Sequence, residues 1–144
     1  MPFELTQEVV DAFMKPMEQG DWAPFEAAID PNVKWWISSD LPRRADKCAG
    51  TYTYKEWMDE VRAPMLRRFT GKHTMEILSS HVNPKTLTAY VESKGYVQQK
   101  CGRPYDNCYC WIFKFSPETG KVVEMREYMD SELVAEVFRL NKDE

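Results

Sequence analysis

The residues best suited to chemistry lie in the segment NCYCWIFKFSPETGKVVEMREYMD, residues 107–130. In its first half the odd-numbered positions are mostly aromatic and the even-numbered ones are not, which places Asn107 and four aromatic residues on one face of a β-strand. Its second half alternates in the same way. The odd-numbered face there carries Val123, Met125, Glu127 and Met129. We therefore predict a hairpin with a single carboxylate on an otherwise apolar and aromatic face.

Glu127 is predicted to transfer protons. With the bend at residues 117–120, the possible registers place Glu127 opposite either Trp111 or Tyr109. Burial among aromatic side chains disfavours the charged form of a carboxylate and raises its pKa toward neutral. A glutamate with such a pKa can act as a general acid or base. The alternative is that Glu127 pairs with a basic side chain or reaches the rim of the sheet.

The composition indicates one globular domain spanning residues 1–144. Hydrophobic residues make up 43% of the chain and aromatic residues 13%, more than a disordered chain carries. No apolar run approaches the roughly 18 residues of a membrane span. The net charge of −4 and the absence of a basic patch argue against nucleic acid as a partner. The first residues lack a secretory signal pattern, so we expect a cytoplasmic protein.

The four cysteines do not have the spacing of a metal site. Cys108 and Cys110 alternate on one strand, with no Cys-x-x-Cys pair and no nearby histidine. We therefore expect no metal. We also expect all four cysteines, including Cys48, to be reduced thiols that pack as small apolar groups. A disulfide between Cys101 and one of the two strand cysteines is the alternative.

The first part of the chain is predicted to form two helices and a strand. Thr6 caps a first helix, which Pro16 kinks or ends. Asp21 caps a shorter helix, which closes at residues 30–32. A strand at residues 33–37 follows. Its apolar face carries Val33, Trp35 and Ile37.

A polar loop and the longest helix come next. The loop, residues 38–50, is long enough to border a pocket. Residues 53–56 have the pattern of a capping box, Pro64 predicts a kink near Ala63, and Gly71 marks the end of the helix. The apolar residues of this helix recur at spacings of four, at Trp57, Val61, Met65 and Phe69.

The rest of the chain is predicted to be mostly antiparallel strands. Strands at residues 73–82 and 86–100 precede the hairpin. Asp130 caps a final helix at residues 131–138, and the charged tail, residues 139–144, is expected to fray. This element order predicts an α+β fold in which a curved antiparallel sheet wraps around helices and forms a cone.

The segment GKVVEMREYMD, with the aromatic strand before it and GRPYDN at residues 102–107, resembles the SnoaL-like branch of the nuclear-transport-factor-2 (NTF2) and ketosteroid-isomerase superfamily. The resemblance covers nearly the whole chain by element order. It implies the cone-shaped α+β barrel of that superfamily, also called cystatin-like. The superfamily includes isomerases, polyketide cyclases, dehydratases, epoxide hydrolases and non-catalytic modules.

The resemblance also assigns site residues. In members similar to limonene epoxide hydrolase, the acid of the R-D/E-Y motif faces the cavity, and that position is Glu127 here. Trp111 matches the protonated aspartate of ketosteroid isomerases, although an indole N–H donates without titrating. The first-strand catalytic acid of those isomerases has no match at residues 33–37, since Asp40 lies beyond the strand. The Arg-x-Asp pair of the epoxide hydrolases is absent from residues 107–115.

We therefore predict a cofactor-independent isomerase or cyclase acting on a polyketide-, terpenoid- or alkaloid-like intermediate of secondary metabolism. The alternatives are a dehydratase, another lyase or an epoxide hydrolase on the same scaffold, or a non-catalytic module that binds a small molecule or a partner. Glu127 is assigned proton transfer and Tyr109 the role of hydroxyl donor. Tyr105 and Asn107 are placed at the pocket mouth. The predicted pocket walls are Trp111, Trp35, Phe113, Met125 and Met129.

The remaining polar residues are assigned to the surface. We expect His73 and His81 near strand ends at the surface, with the pocket as the alternative for His73, while Glu92 could face either side of its strand. Arg126 should pair with Glu124 or with a partner subunit. The outer face of the hairpin combines apolar area with charge, which predicts a homodimer. That face is predicted to carry Cys110, Ile112, Val122, Glu124, Arg126 and Tyr128.

Overall fold

The structure is a computed structural model, and it describes residues 2–38, 40 and 48–142. Six strands form one curved sheet: β1 (Ile29–Ile37), β2 (Gly50–Tyr52), β3 (Phe69–Asn83), β4 (Thr88–Gln99), β5 (Cys108–Phe115) and β6 (Val122–Met129). Their order is β2-β1-β6-β5-β4-β3. The predicted α+β fold is confirmed. The sheet remains open, however, and one pair of strands, β1 and β6, is parallel.

Short helices cover the inner face of this sheet. They are α1 (Gln7–Met14), a 3₁₀ turn (Lys15–Gln19), α2 (Ala23–Ala27), α3 (Tyr54–Trp57), a π turn (Met58–Arg62), α4 (Ala63–Leu66) and α5 (Ser131–Leu140). The segments α3, π turn and α4 follow one another without a break, and we call them the 54–66 helix. Within the described residues, every helix is too short or too polar to cross a membrane.

The N-terminal predictions are largely confirmed. Thr6 caps α1, and α1 gives way to the 3₁₀ turn just before Pro16. The predicted cap of α2 is wrong by one residue: the N-cap is Trp22, which makes no side-chain cap bond, while the Asp21 carboxylate just before it accepts a hydrogen bond from the Ala23 N–H over 3.1 Å. The predicted close at residues 30–32 is wrong, because β1 already begins at Ile29. Pro31 is tolerated within β1 because the β1–β6 register shifts between Ile29 and Lys34, and the regular ladder needs no N–H donor from the proline there.

The 54–66 helix begins as predicted and ends earlier. Thr53 and Glu56 form the reciprocal bonds of a capping box. The predicted irregularity before Pro64 is present as the π turn, consistent with the N–H that proline lacks. Gly71 does not end the helix. It lies in β3 at φ +83°, where the register with β4 shifts, and Phe69 also belongs to that strand.

The hairpin has one of the two predicted registers, with Trp111 opposite Glu127. Near the turn, however, a register shift after Lys114 turns Val122 inward, so it is fully buried and absent from the outer face. Asp130 caps α5 as predicted. The tail is not frayed at Asn141, because its amide side chain donates to Gln99 and accepts from the Cys101 N–H. Residues 143–144 and most of the predicted 38–50 loop lie outside the described residues.

Aromatic rings join the N-terminal helices to the sheet. Phe13 of α1 meets Phe113 edge-on, with ring centroids 5.5 Å apart. Phe25 of α2 stacks on Trp111 at 5.4 Å. Phe113 and Phe25 are fully buried. This aromatic core fixes the position of Trp111, which is also a wall of the pocket described below.

The cysteines have different exposures. Cys48 is buried, whereas Cys101, Cys108 and Cys110 are exposed, and no disulfide joins any two cysteines among the described residues. We predict that titration of the denatured protein, purified without reductant, finds four thiols. In the native protein Cys101 should react faster than Cys48, and Cys48→Ala should remove the slow phase. Two missing thiols would instead indicate a Cys101 disulfide.

Candidate active site

A pocket lies between the inner face of the sheet, the 54–66 helix and α5. Its free volume is about 50 Å³, which is room for roughly three or four water molecules. The lining is mainly aromatic, with a few polar side chains among the rings. A polyketide- or terpenoid-sized ligand needs more room, so lining side chains must move before one can enter. Six of the predicted site residues line this pocket: Glu127, Tyr109, Trp111, Trp35, Tyr105 and Met129.

Three predicted site residues lie elsewhere. Phe113 and Met125 face each other across the β5–β6 ladder and are fully buried in the aromatic core. Asn107 is buried rather than at a mouth, and its amide bonds to both the N–H and the C=O of Asp130. It therefore positions the start of α5. Tyr105 is also deeply buried, so it lines the pocket from within and not at the rim.

Glu127 is buried in this pocket, with 7% of its surface exposed. The indole N–H of Trp35 donates to Glu127 Oε1 over 3.1 Å. Trp35 is itself held by Trp57, whose ring stacks on it at 4.1 Å between centroids. Burial raises the pKa of Glu127 from its ordinary 4.5 to about 7. The nearby indole N–H groups and the charge of Arg62 act in the opposite direction, and burial is the larger effect.

Two tyrosine hydroxyls form a chain beside Glu127. The Asn107 amide donates to Tyr105 Oη over 3.0 Å, and the hydroxyls of Tyr105 and Tyr109 are 3.1 Å apart. Only one of these hydroxyls can donate to the other, so the pair keeps one O–H for a ligand. Burial raises the pKa of both phenols, which keeps them protonated. The hydroxyl donor is thus a pair and not Tyr109 alone.

Sequence reasoning missed the most buried cation of the pocket. Arg62, only 8% exposed, lies on the π turn beside Val61, and both side chains face inward. A regular helix with Trp57, Val61 and Met65 inward would place residue 62 on its flank. The wider π turn brings Arg62 in. Its guanidinium lies 3.8 Å from the centroid of the Trp22 ring.

His73 is the partner of Arg62, and it is buried instead of at the surface as expected. Nη1 of Arg62 donates to His73 Nδ1 over 2.9 Å, so the ring is neutral and carries its proton on Nε2. Burial and the Arg62 charge lower the pKa of His73 to about 3. A Cβ at Gly95 would lie 2.7 Å from His73 Nε2, which explains the glycine. His81 and Glu92 are exposed, and Glu92 accepts from Ser79 on the outer face.

The arrangement suits acid–base chemistry on a small molecule. One carboxyl group titrates near neutral pH, and N–H and O–H donors surround it. Trp111 Nε1 is buried without a well-aligned acceptor, so it is available to a ligand. Among the described residues, no three His, Cys, Asp or Glu side chains converge as a metal site would require.

Comparisons with known proteins bear on the fold. Neither a family profile nor a curated protein sequence matches this chain. An NTF2-like protein from Burkholderia thailandensis is 20% identical over 90% of this chain and 94% of that one, with a TM-score of 0.68. BvnE pinacolase from Penicillium brevicompactum is 11% identical over 90% of this chain and 88% of that one, with a TM-score of 0.69. AusH from Aspergillus nidulans is 12% identical over 90% of this chain and 88% of that one, with a TM-score of 0.67.

At such identities the likeness shows the fold alone. It extends over about nine tenths of each chain. A further neighbour is described as having a ketosteroid-isomerase-like fold. The resemblance found in the sequence is confirmed at this level, and the chain has the α+β fold of the NTF2-like and ketosteroid-isomerase-like proteins.

Proposed function

We propose that this protein is a cofactor-independent acid–base enzyme, an isomerase or cyclase, in which Glu127 transfers the proton. The observation that supports this most strongly is the burial of Glu127 in an aromatic pocket with its pKa raised to about 7. At neutral pH such a group is present in both protonation states. It can therefore remove a proton from one atom of the substrate and return it to another. A pocket that only bound apolar molecules would gain nothing from a buried acid.

The substrate class follows from the lining of the pocket. Aromatic walls suit an apolar, oxygenated intermediate of the polyketide, terpenoid or alkaloid kind. The spare O–H of the Tyr105–Tyr109 pair and the indole N–H of Trp111 would donate to an oxygen that gains negative charge. The likeness to a pinacolase supports a rearrangement catalyst. Because the proton leaves and returns, no co-reactant is required.

The proposal can be tested before the substrate is known. A small-molecule extract would be incubated in D₂O with the parent protein or with the Glu127→Gln variant, and analysed by chromatography and mass spectrometry. The parent should produce deuterium-labelled compounds or new isomers of unchanged formula, and the variant should not. If native mass spectrometry finds a bound small molecule that the protein leaves unlabelled and unchanged, the protein is a binding module instead.

We also propose a homodimer that forms through the outer face of the sheet. Tyr128 and Tyr90 are 40% and 45% exposed there. Arg126 stacks 3.9 Å above Trp36 rather than pairing with Glu124, which leaves both charges for a second subunit. Sedimentation at micromolar concentration should give a dimer, and Tyr128→Glu should shift it to monomer. A monomeric mass for the parent protein would contradict this.

A further inference from the structure

Arg62 is a buried cation without a close counter-ion in the described part of the chain. No carboxylate oxygen of a described residue lies within 4.0 Å of its guanidinium nitrogens. Its one hydrogen bond there goes to the neutral ring of His73. Nη1 uses one of five N–H donors in that bond, so four remain. The Trp22 ring covers one face of the guanidinium plane, and the remaining Arg62 nitrogens are not among the fully enclosed atoms without a partner, so a ligand can reach them.

Burying such a cation is costly unless negative charge approaches it. Glu26 and Glu127 act on Arg62 only at longer range. Glu26 already accepts a hydrogen bond from the Tyr54 hydroxyl. Glu127 is charged for only part of the time near neutral pH. Arg62 keeps its charge throughout, since its pKa is lowered only to about 10.

From this geometry we infer that the pocket binds a small carboxylic acid whose carboxylate pairs with Arg62 and whose apolar body lies among the pocket tryptophans. The inference deepens the proposed function and rests on it, because both place the substrate in the same pocket. A guanidinium fork matches a carboxylate in a bidentate geometry. A neutral carbonyl would leave the cation uncompensated.

A second donor supports an oxygen-bearing ligand. Trp111 Nε1 is buried near Glu127 without a well-aligned hydrogen bond, and Trp111 and Arg62 line the same pocket. The spare O–H of the Tyr105–Tyr109 pair is a further donor. Donors are therefore in excess, and Glu127 is the one carboxylate among the lining residues that the structure describes. A ligand that brings acceptor oxygens and one negative charge satisfies this imbalance.

Ligand charge and Glu127 protonation should be coupled. A carboxylate on Arg62 adds negative charge near Glu127 and offsets the guanidinium charge that lowers its pKa, so Glu127 takes up a proton when the acid binds. Glu127 would then meet the substrate as a general acid. The other titratable groups near Arg62 and Glu127 are Tyr105, Tyr109 and His73, which are uncharged near neutral pH, together with Cys48 and Glu26.

The experiment compares benzoate with benzamide, its neutral isostere, by calorimetry or by quenching of tryptophan fluorescence. Benzoate should bind the parent protein about 10–100-fold more tightly than benzamide. Its affinity should fall by up to about tenfold per pH unit above pH 7, because Glu127 must take up a proton. Benzamide affinity should stay nearly constant over the same range.

Variants assign the preference to Arg62. Arg62→Gln should reduce the preference for benzoate to about threefold or less, and Arg62→Lys should keep part of it. Arg139→Gln removes the same charge from the exposed last turn of α5 and should leave the preference unchanged. Glu127→Gln should keep the preference and lose its pH dependence. The comparison in the parent protein requires no variant, so a misfolded Arg62→Gln does not prevent the test.

Equal affinity for benzoate and benzamide in the parent protein would overturn the inference. So would the absence of measurable benzoate binding at millimolar concentration, or an unchanged preference in folded Arg62→Gln. These outcomes are separate from those that test the proposed function. Loss of deuterium incorporation in Glu127→Gln concerns proton transfer alone, whereas the benzoate preference concerns Arg62 and is retained in that variant.

Discussion

Replacing Glu127 with glutamine is expected to lower turnover by about 10²–10⁴-fold and to leave the fold intact. The amide keeps the shape of the side chain and can still accept the hydrogen bond from the Trp35 indole. It cannot gain or lose a proton near neutral pH. Steady-state kinetics on the first substrate identified would measure the loss. Glu124→Gln, on the exposed face of the same strand, is the matched control and should keep turnover within about twofold.

The same variant should change how stability depends on pH. The pKa of Glu127 is about 7 in the folded protein and close to its ordinary 4.5 when unfolded. Between these values the folded state binds more protons, so the free energy of unfolding falls as pH rises from about 4.5 to about 7. This contribution amounts to about 3 kcal/mol. Glu127→Gln should remove it, and the variant should be at least as stable as the parent at pH 7.5.

Two results would contradict this account of Glu127. Near-normal turnover by Glu127→Gln would remove the residue from the mechanism and direct attention to the tyrosine pair. A loss of roughly 3–5 kcal/mol in the free energy of unfolding at pH 7.5 would show that Glu127 is an essential partner of a buried charge. Urea denaturation of the parent and variant at pH 5 and pH 7.5 measures the second quantity.

Replacing Phe113 with alanine is expected to cost about 3–5 kcal/mol of stability. Phe113 is fully buried and meets Phe13, Phe25 and Trp111 with ring centroids 5.5–6.3 Å apart. The small side chain would leave a cavity that rigid strands on both sides cannot fill. For a domain of this size the melting temperature should fall by about 10–15 °C. Calorimetry or circular dichroism would detect it.

The control for Phe113→Ala is Lys114→Ala, one residue along β5 and pointing outward. It removes a long side chain from the surface and should change stability by less than about 0.5 kcal/mol. A Phe113→Ala protein of normal stability with a weakened affinity for ligand would mean that Phe113 is a pocket wall, as the sequence alone suggested. The same core explains why Met125, its cross-strand neighbour, is also not in the pocket.

Local patterns in the sequence were sufficient for much of the fold and for the central acid. Alternation with a period of two follows from the geometry of a single strand, so it placed Glu127 and Trp111 on one face without knowledge of the rest of the chain. Capping at Thr6, Thr53 and Asp130 is local in the same sense, because the side chain bonds a backbone group two or three residues away. The raised pKa of Glu127 followed from burial on that apolar face.

Tertiary packing decided whether each inward-facing side chain lies in the closed core or in the pocket. Phe113 and Glu127 are both on the inner face, but α1 and α2 cover the sheet at Phe113 and leave space at Glu127. Alternation cannot tell these two situations apart. The inward position of Val122 and the early end of the 54–66 helix have a similar origin, because Val122 pairs with Ile29 of β1 and Phe69 pairs with Gln99 of β4, both far away in the chain.

Arg62 and His73 show most clearly what patterns in the sequence cannot predict. Eleven positions separate them in the chain, on a helix and on the following strand, and their hydrogen bond exists only because the π turn brings Arg62 inward against β3. Pro64 indicates an irregularity in the helix, but the spacing of the apolar residues does not indicate that it turns Arg62 inward. The sequence by itself determined the strand face that carries the acid. Only the three-dimensional packing determined that a buried cation shares its pocket, because a contact between distant segments forms when the sheet and the helix come together and leaves no periodic pattern in either.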